Sequence, residues 1–167
     1  MRIFIAINLN REMRDSLIDA QNRMYENGVR GNYTREENLH LTLAFIGEYS
    51  DPDAVMDALS GVGFTPFEIG IDGIGCFGDL WWAGIKEDPA LTAVSRRIRR
   101  SLAESGIPFD RKRFSPHITL IRKASKKVSE TGIEPASMTV DAVSIMRSDR
   151  GRNGMIYTEI GRIEAEL

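Results

Sequence analysis

Short hydrophobic runs alternate with segments of helical periodicity along the chain. Apolar residues at three- and four-residue spacing predict a long helix over residues 11–28, capped by Asn10, and a second from Asp88-Pro89 to near Gly106. A proline in the first turn predicts a short helix over residues 50–63. Runs rich in β-branched and aromatic residues predict strands over residues 2–7, 38–47, 67–77, 80–85, 114–122, 137–147 and 155–163.

The order of these elements repeats. A strand, a long helix, a strand containing histidine and a further strand occur first from Phe4 onward and again from Trp82 onward. Phe4 lies 36 residues before His40, and Trp82 lies 35 residues before His117. We therefore expect one domain over residues 1–167, built from two similar, pseudo-symmetric and interleaved lobes. A pseudo-two-fold arrangement would bring the two histidine strands to face each other across a cleft.

Both histidines of the chain lie in the same local pattern, "HLTL" at residues 40–43 and "HITL" at residues 117–120. Because side chains alternate along a strand, His40 and Thr42 share one face, and His117 and Thr119 do the same in the second motif. The hydrophobic residues between them face the opposite way, into a lobe core. A single pattern of this kind is most often the polar face of a sheet, but its repetition in equivalent places favours a functional site.

Three chemical interpretations are open for two histidines on separate strands. A metal site, including one formed by two histidines and a carboxylate, is disfavoured because neither motif has the close spacing of zinc ligands and no aspartate or glutamate lies beside either motif on the same strand face. A polar sheet face without catalytic function is the second interpretation, but it does not explain why the same pattern of histidine and threonine occurs twice. Paired acid–base catalysis fits best, since histidine gives or takes a proton near neutral pH and a threonine hydroxyl can donate to a phosphate oxygen. Phosphoryl transfer requires mainly this positioning and charge stabilisation.

Composition and charge limit the class of protein, its expected location and its partners. The 167 residues suffice for a hydrophobic core, and the single cysteine, Cys76, excludes an internal disulfide. The sequence contains no apolar run of 18 residues, so no membrane span is predicted. The segment "MRIFIAINLN" is interpreted as a first strand rather than a signal peptide. We expect a cytoplasmic monomer with no membrane partner. Although the net charge is only −2, eleven basic and two acidic residues lie between Arg96 and Lys127, a distribution that attracts phosphates.

These motifs and their flanks resemble the 2H phosphoesterase superfamily, and most closely its RNA 2′,3′-cyclic phosphodiesterases, also called 2′-5′ RNA ligases. The resemblance covers nearly the whole chain and rests on "MRIFIAI", on "ENLHLTLAFIGE" (37–48) and on "RKRFSPHITLIRK" (111–123). It implies a bilobal α+β fold in which two antiparallel sheets line a central cleft and helices pack outside. It also implies opening of RNA 2′,3′-cyclic phosphates to 2′-phosphomonoesters without metal or other cofactor, and reverse 2′-5′ ligation.

Carried onto this sequence, the resemblance implies that His40 is the proton donor and His117 the proton acceptor. Thr42, Thr119 and Arg122 would then bind the substrate phosphate. Positive charge from Arg122 on the His117 side favours a neutral imidazole there, which agrees with a base.

Two further residues are candidate RNA contacts. Tyr33 is a candidate for stacking on a base, with packing as the alternative, and Arg113 is a candidate contact to RNA phosphates. The expected partners are RNA ends that carry a 2′,3′-cyclic phosphate, tRNA halves among them. Two alternatives stay open at this point: a non-catalytic RNA- or nucleotide-binding protein, and a phosphodiesterase for a small cyclic nucleotide.

Overall fold

The computed structural model describes residues 1–129 and 132–167. Within these ranges the chain forms nine strands, three α-helices and a 3-10 turn at Glu36–Asn38. The helices are α1 (Arg11–Glu26), α2 (Pro52–Ser60) and α3 (Pro89–Glu104). The strands are β1 (Arg2–Asn8), β2 (Asn32–Tyr33), β3 (His40–Glu48), β4 (Phe67–Phe77), β5 (Leu80–Ile85), β6 (His117–Arg122), β7 (Ser137–Val140), β8 (Ala142–Gly151) and β9 (Gly154–Glu164).

The strands form two antiparallel sheets. One sheet has the order β3-β1-β8-β9 and the other the order β2-β6-β5-β4-β7. Each histidine strand pairs with the strand that opens its half of the chain, so that His40 lies opposite Asn8 on β1 and His117 lies opposite Gly84 on β5. Strands β3 and β6 contact each other where the two sheets meet. The predicted α+β fold with two antiparallel sheets is therefore confirmed.

The two lobes exchange strands. The strand that follows β3 along the chain, β4, pairs with β5 in the other sheet, and β8 returns to pair with β1. Each sheet thus contains strands from both halves of the chain, and neither half can complete its sheet alone. The pseudo-symmetric pair of lobes and a duplication as its origin, both expected from the repeated element order, stay predictions.

The helices cover the sheet faces that point away from the histidines. Helix α1 begins at its N-cap Asn10, whose side chain accepts a hydrogen bond from the amide of Met13, and packs against β6 and β7. Helix α3 begins after Asp88 and packs against β3 and β4. The predicted inward residues of both helices are buried, as are Leu41 and Leu43 of β3. Burial of these leucines fixes which face of β3 carries His40 and Thr42.

Three predicted strands have bounds that differ by two residues or more from the observed ones. The strand predicted at 38–47 begins at His40, after the 3-10 turn, and the one predicted at 114–122 begins at His117, since Pro116 has no amide hydrogen for pairing. The run predicted as one strand at 137–147 is two strands, because the chain leaves one sheet at Val140 and joins the other at Ala142. The two-residue strand β2 is too short to have been predicted from periodicity.

Two features are absent from the part of the chain that the structure describes. No helix there is long and apolar enough to cross a bilayer. Likewise, residues 1–129 and 132–167 contain no group of three or more histidine, cysteine, aspartate or glutamate side chains arranged to hold a metal ion.

Candidate active site

His40 is the first residue of β3, and its imidazole is held at both nitrogens. Nδ1 lies 2.7 Å from the backbone oxygen of Asn38, and Nε2 lies 2.8 Å from Oγ1 of Thr42. The Phe4 and Tyr157 rings enclose the imidazole, with centroids 4.8 and 5.3 Å away. Alternation along the strand explains the contact to Thr42, whereas the two aromatic neighbours come from β1 and β9.

These partners assign the tautomer of neutral His40. A backbone oxygen only accepts hydrogen bonds, so Nδ1 carries the proton and donates it to Asn38. In neutral His40, Nε2 is then the acceptor, and the hydroxyl of Thr42 donates to it. When His40 is protonated the second bond reverses, and Nε2–H becomes the donor. The arrangement therefore presents Nε2 as the only nitrogen that can exchange a proton with a bound molecule.

His117 has the same anchor in the other lobe. Its Nδ1 lies 2.6 Å from the backbone oxygen of Ser115, two residues earlier, just as His40 contacts the carbonyl two residues before it. The ring is half-buried, with the Phe77 ring edge-on at 5.4 Å and the Trp82 ring at 6.1 Å. Both imidazoles are thus anchored through Nδ1, so that Nε2 is the nitrogen available for proton transfer, and in His40 this Nε2 also contacts Thr42.

The two motifs line one cavity of about 610 Å³, here called the cleft. All five residues predicted as catalytic or phosphate-binding are among its lining residues: His40, Thr42, His117, Thr119 and Arg122. Sequence reasoning missed the other lining residues, which are Arg2, Phe4, Thr34, Asn38, Phe45, Asp110, Ser148, Arg150, Met155 and Tyr157. Most of these lie on β1, β8 or β9, or in loops, where no local motif marks them.

The cleft suits an anionic ligand. Three arginines, Arg2, Arg122 and Arg150, line it together with one carboxylate, Asp110. The Arg2 guanidinium lies 5.6 Å from the centre of the Phe45 ring. Positive charge on a concave surface attracts phosphate, and the two threonine hydroxyls supply hydrogen-bond donors beside the histidines.

The pKa of His40 is lowered from its ordinary value. Burial is the largest cause, and the positive charges of Arg122 and His117 lower it further, against the hydrogen bond to Asn38, which raises it. On the sequence alone, the Arg122 charge is considered only for the histidine of its own strand, without its effect on His40 in the opposite lobe. Arg122 reaches the cleft because it ends β6, next to Lys123 in a left-handed conformation.

We expect the pKa of His40 to rise when the Arg122 charge is removed. Arg122→Gln takes away a positive charge that disfavours the imidazolium, so the protonated form becomes more stable. Inorganic phosphate bound in the cleft would raise the same pKa, because an anion favours the charged imidazole. Titration of the imidazole signals by NMR measures both effects. The chain has two histidines, and the signal that disappears in the His117→Gln variant is that of His117.

Arg113→Gln is the matched control for this titration, because Arg113 lies outside the cleft. An unchanged or lower pKa of His40 in Arg122→Gln would contradict the placement of the Arg122 charge.

The structure does not bring the two candidate RNA contacts to the cleft. Tyr33 packs edge-on against Tyr25 at 6.3 Å, and its hydroxyl donates to the backbone oxygen of Val29 at 2.7 Å. Burial raises the pKa of this hydroxyl. Packing, the alternative considered for Tyr33, is thus the role that the structure shows. Arg113 is exposed and lines a separate groove on the far side of the loop that precedes His117.

Comparisons with known proteins show the family to which this chain belongs. Residues 15–152 match the family model of the 2′-5′ RNA ligase superfamily. The RNA 2′,3′-cyclic phosphodiesterase of Escherichia coli is 31% identical, over 96% of this chain and 94% of its own. That of Thermotoga maritima is 29% identical, over 94% of this chain and 91% of its own.

Solved structures show the same likeness. A crystal structure of E. coli LigT with 3′-AMP superposes with a TM-score of 0.84 at 29% identity, covering 99% of this chain and 98% of that one. A crystal structure of a phosphoesterase superposes with a TM-score of 0.86 at 28% identity and covers 99% of each chain. Since the family model spans most of the chain and both histidine motifs, the chain belongs to the 2′-5′ RNA ligase superfamily.

Proposed function

We propose that this protein hydrolyses 2′,3′-cyclic phosphates at RNA ends to 2′-phosphomonoesters. The observation that carries the proposal is the matched pair of imidazoles, each anchored through Nδ1 to a carbonyl two residues earlier and each lining the same cleft. The names of the E. coli and T. maritima relatives support this substrate class. A binding protein would need the positive charge of the cleft but not two histidines positioned in this way.

In the proposed reaction one histidine serves each side of the phosphorus. His117 takes a proton from water through Nε2 as the water oxygen bonds to phosphorus. The bond from phosphorus to the 3′-oxygen breaks, and protonated His40 donates its Nε2 proton to that oxygen. The phosphate stays on the 2′-oxygen, and exchange of protons with solvent restores both histidines.

The lowered pKa of His40 bears on its role as the proton donor. In the free protein, burial and nearby positive charges favour neutral His40. A bound cyclic phosphate is an anion, so its arrival would favour the imidazolium and supply the protonated donor when it is needed. We propose that Thr42, Thr119 and Arg122 hold the phosphate oxygens, where negative charge grows during the displacement.

Reverse 2′-5′ ligation belongs to the same proposal. A 5′-hydroxyl of a second RNA would take the place of water, and His117 would accept its proton. Departure of the 3′-oxygen then leaves a 2′-5′ linkage, and the catalytic groups keep the same roles. Action on tRNA halves, the monomeric state and the cytoplasmic location, all expected from the sequence, stay predictions.

Product analysis with excess EDTA tests the proposal. We expect purified protein to convert a short RNA ending in a 2′,3′-cyclic phosphate into the 2′-phosphate alone, as separated from the 3′-phosphate by chromatography. A double His40→Ala/His117→Ala variant, purified in the same way, controls for contaminating ribonuclease.

Formation of 3′-phosphate, or turnover that appears only after metal is added, would contradict the proposal. Turnover of a small cyclic nucleotide but of no RNA would favour the small-substrate alternative. Binding of RNA without any turnover would favour the non-catalytic alternative.

A further inference from the structure

A second concave surface lies behind the cleft, on the other side of the loop formed by residues 107–116. Its volume is about 1070 Å³, and its walls are α3 and this loop. Five arginines line it: Arg96, Arg99, Arg100, Arg111 and Arg113. We call it the arginine groove. None of the residues proposed for catalysis lines it.

The positive charge of the arginine groove is largely uncompensated. Arg96, Arg100, Arg111 and Arg113 are exposed, and none of them forms a salt bridge with any carboxylate of residues 1–129 or 132–167. The groove has two acidic residues, and one of these, Asp88, accepts hydrogen bonds from the first amides of α3. Four exposed guanidinium groups are therefore available to an anionic partner.

Arg99 forms the rigid floor of the groove. It is half-buried, and its Nε and Nη1 donate to the backbone oxygens of Leu43 at 3.3 Å and Lys112 at 2.7 Å. Burial lowers its pKa, while the charge of Asp110 raises it. These bonds tie α3 to β3 and to the loop.

Two aromatic rings lie among the arginines. The guanidinium carbon of Arg99 lies 5.8 Å from the ring centres of both Phe109 and Phe114, and that of Arg111 lies 4.7 Å from the ring centre of Phe109. Cationic side chains interleaved with aromatic rings are typical of surfaces that bind single-stranded nucleic acid, where cations contact phosphates and rings stack on bases.

The arginine groove and the cleft share one wall. Within the loop, Asp110 lines the cleft while its neighbour Arg111 lines the groove, and Pro116 of the groove directly precedes His117. The loop is fixed to β3, because the amide of Asp110 donates to the backbone oxygen of Phe45 at 2.7 Å. Residues adjacent in the chain therefore line both surfaces.

We propose that the arginine groove binds the RNA backbone on the 5′ side of the cyclic phosphate. The identity of that RNA as the substrate rests on the proposed function, whereas the binding itself does not. The groove would then give a preference for RNA over mononucleotides, because it adds affinity for RNA. It takes no part in the proton transfers.

The test compares two double variants of exposed helix arginines. Arg96→Gln/Arg100→Gln removes two charges from the groove, and Arg11→Gln/Arg97→Gln removes two charges from outside it. Fluorescence anisotropy measures binding of a single-stranded RNA of about 12 nucleotides that ends in a 2′-phosphate, over a series of salt concentrations. Hydrolysis of a nucleoside 2′,3′-cyclic phosphate is measured in parallel.

We expect the groove variant to bind this RNA about 10-fold more weakly at low salt and to lose about 1.4 from the slope of log K against log salt, since each phosphate contact to a single strand contributes about 0.7. Its hydrolysis of the mononucleotide should match wild type. Equal affinities and slopes for the two double variants would overturn the proposal.

Failure of the proposed function gives a different result, in which neither wild type nor the variants hydrolyse the nucleoside 2′,3′-cyclic phosphate while the difference in RNA binding between the variants persists. Weaker binding accompanied by equally impaired mononucleotide hydrolysis would also overturn the proposal, because it would indicate damage to the cleft.

Discussion

His40→Ala and His117→Ala should each lower kcat on an RNA 2′,3′-cyclic phosphate by a factor of about 10² to 10⁴, the usual contribution of a positioned acid or base. Both imidazoles are anchored through Nδ1, so alanine removes a group that is already positioned for proton transfer. Because the phosphate is held by other side chains, KM should change much less than kcat. Single-turnover kinetics with saturating enzyme measures the chemical step directly.

The double variant is the informative control for the histidine pair. Two groups that act on the same displacement are not independent, so removing both should cost little more than removing the more important one. His117→Ala also removes the hydrogen bond between Nδ1 and the backbone oxygen of Ser115, while the arginines that line the cleft are unchanged. Loss of less than about tenfold in either single variant, with the fold intact by circular dichroism, would exclude that histidine from proton transfer.

Replacing the two threonines should produce the second largest effect. Thr42→Val and Thr119→Val keep the shape of the side chain and remove a hydroxyl that we propose donates to a phosphate oxygen. Loss of one such donor costs about 10²- to 10³-fold in kcat. Thr42→Val should be the more damaging, because this hydroxyl also contacts Nε2 of His40 at 2.8 Å and orients the ring. Steady-state kcat and KM on a nucleoside 2′,3′-cyclic phosphate measure both effects.

Serine is the matched control at each threonine position. Thr42→Ser and Thr119→Ser retain the hydroxyl and lose only a methyl group, so we expect each to recover most of the activity that valine removes. Should serine be as inactive as valine, packing of the methyl group would be the important property, and the proposed contact to phosphate would be wrong.

Much of the site was predictable because its central residues follow a local rule. Two-residue alternation places His40 with Thr42 and His117 with Thr119, and burial of the residues between them, Leu41 and Ile118, decides which face is polar. The helix starts were predictable for the same reason, since Asn10 and Asp88 cap amides only a few residues away. Interactions between residues that lie only a few positions apart can be predicted from the sequence alone.

The rest depended on contacts between residues that are far apart in the chain. Tyr157 reaches His40 from β9, and Arg122 acts on the pKa of His40 across the two lobes. The break between β7 and β8 has no local signal, because it arises where the chain passes from one sheet to the other.

Sequence alone therefore determined the two motifs, the face that each presents and the helices that cover the opposite face. Only the tertiary structure decided what surrounds the motifs. The exchange of β4 and β8 between sheets brings distant strands together, and the loop before His117 separates the cleft from the arginine groove. The physical reason is that periodicity specifies which side of an element is buried, whereas the partner that buries it is chosen by the packing of the whole chain.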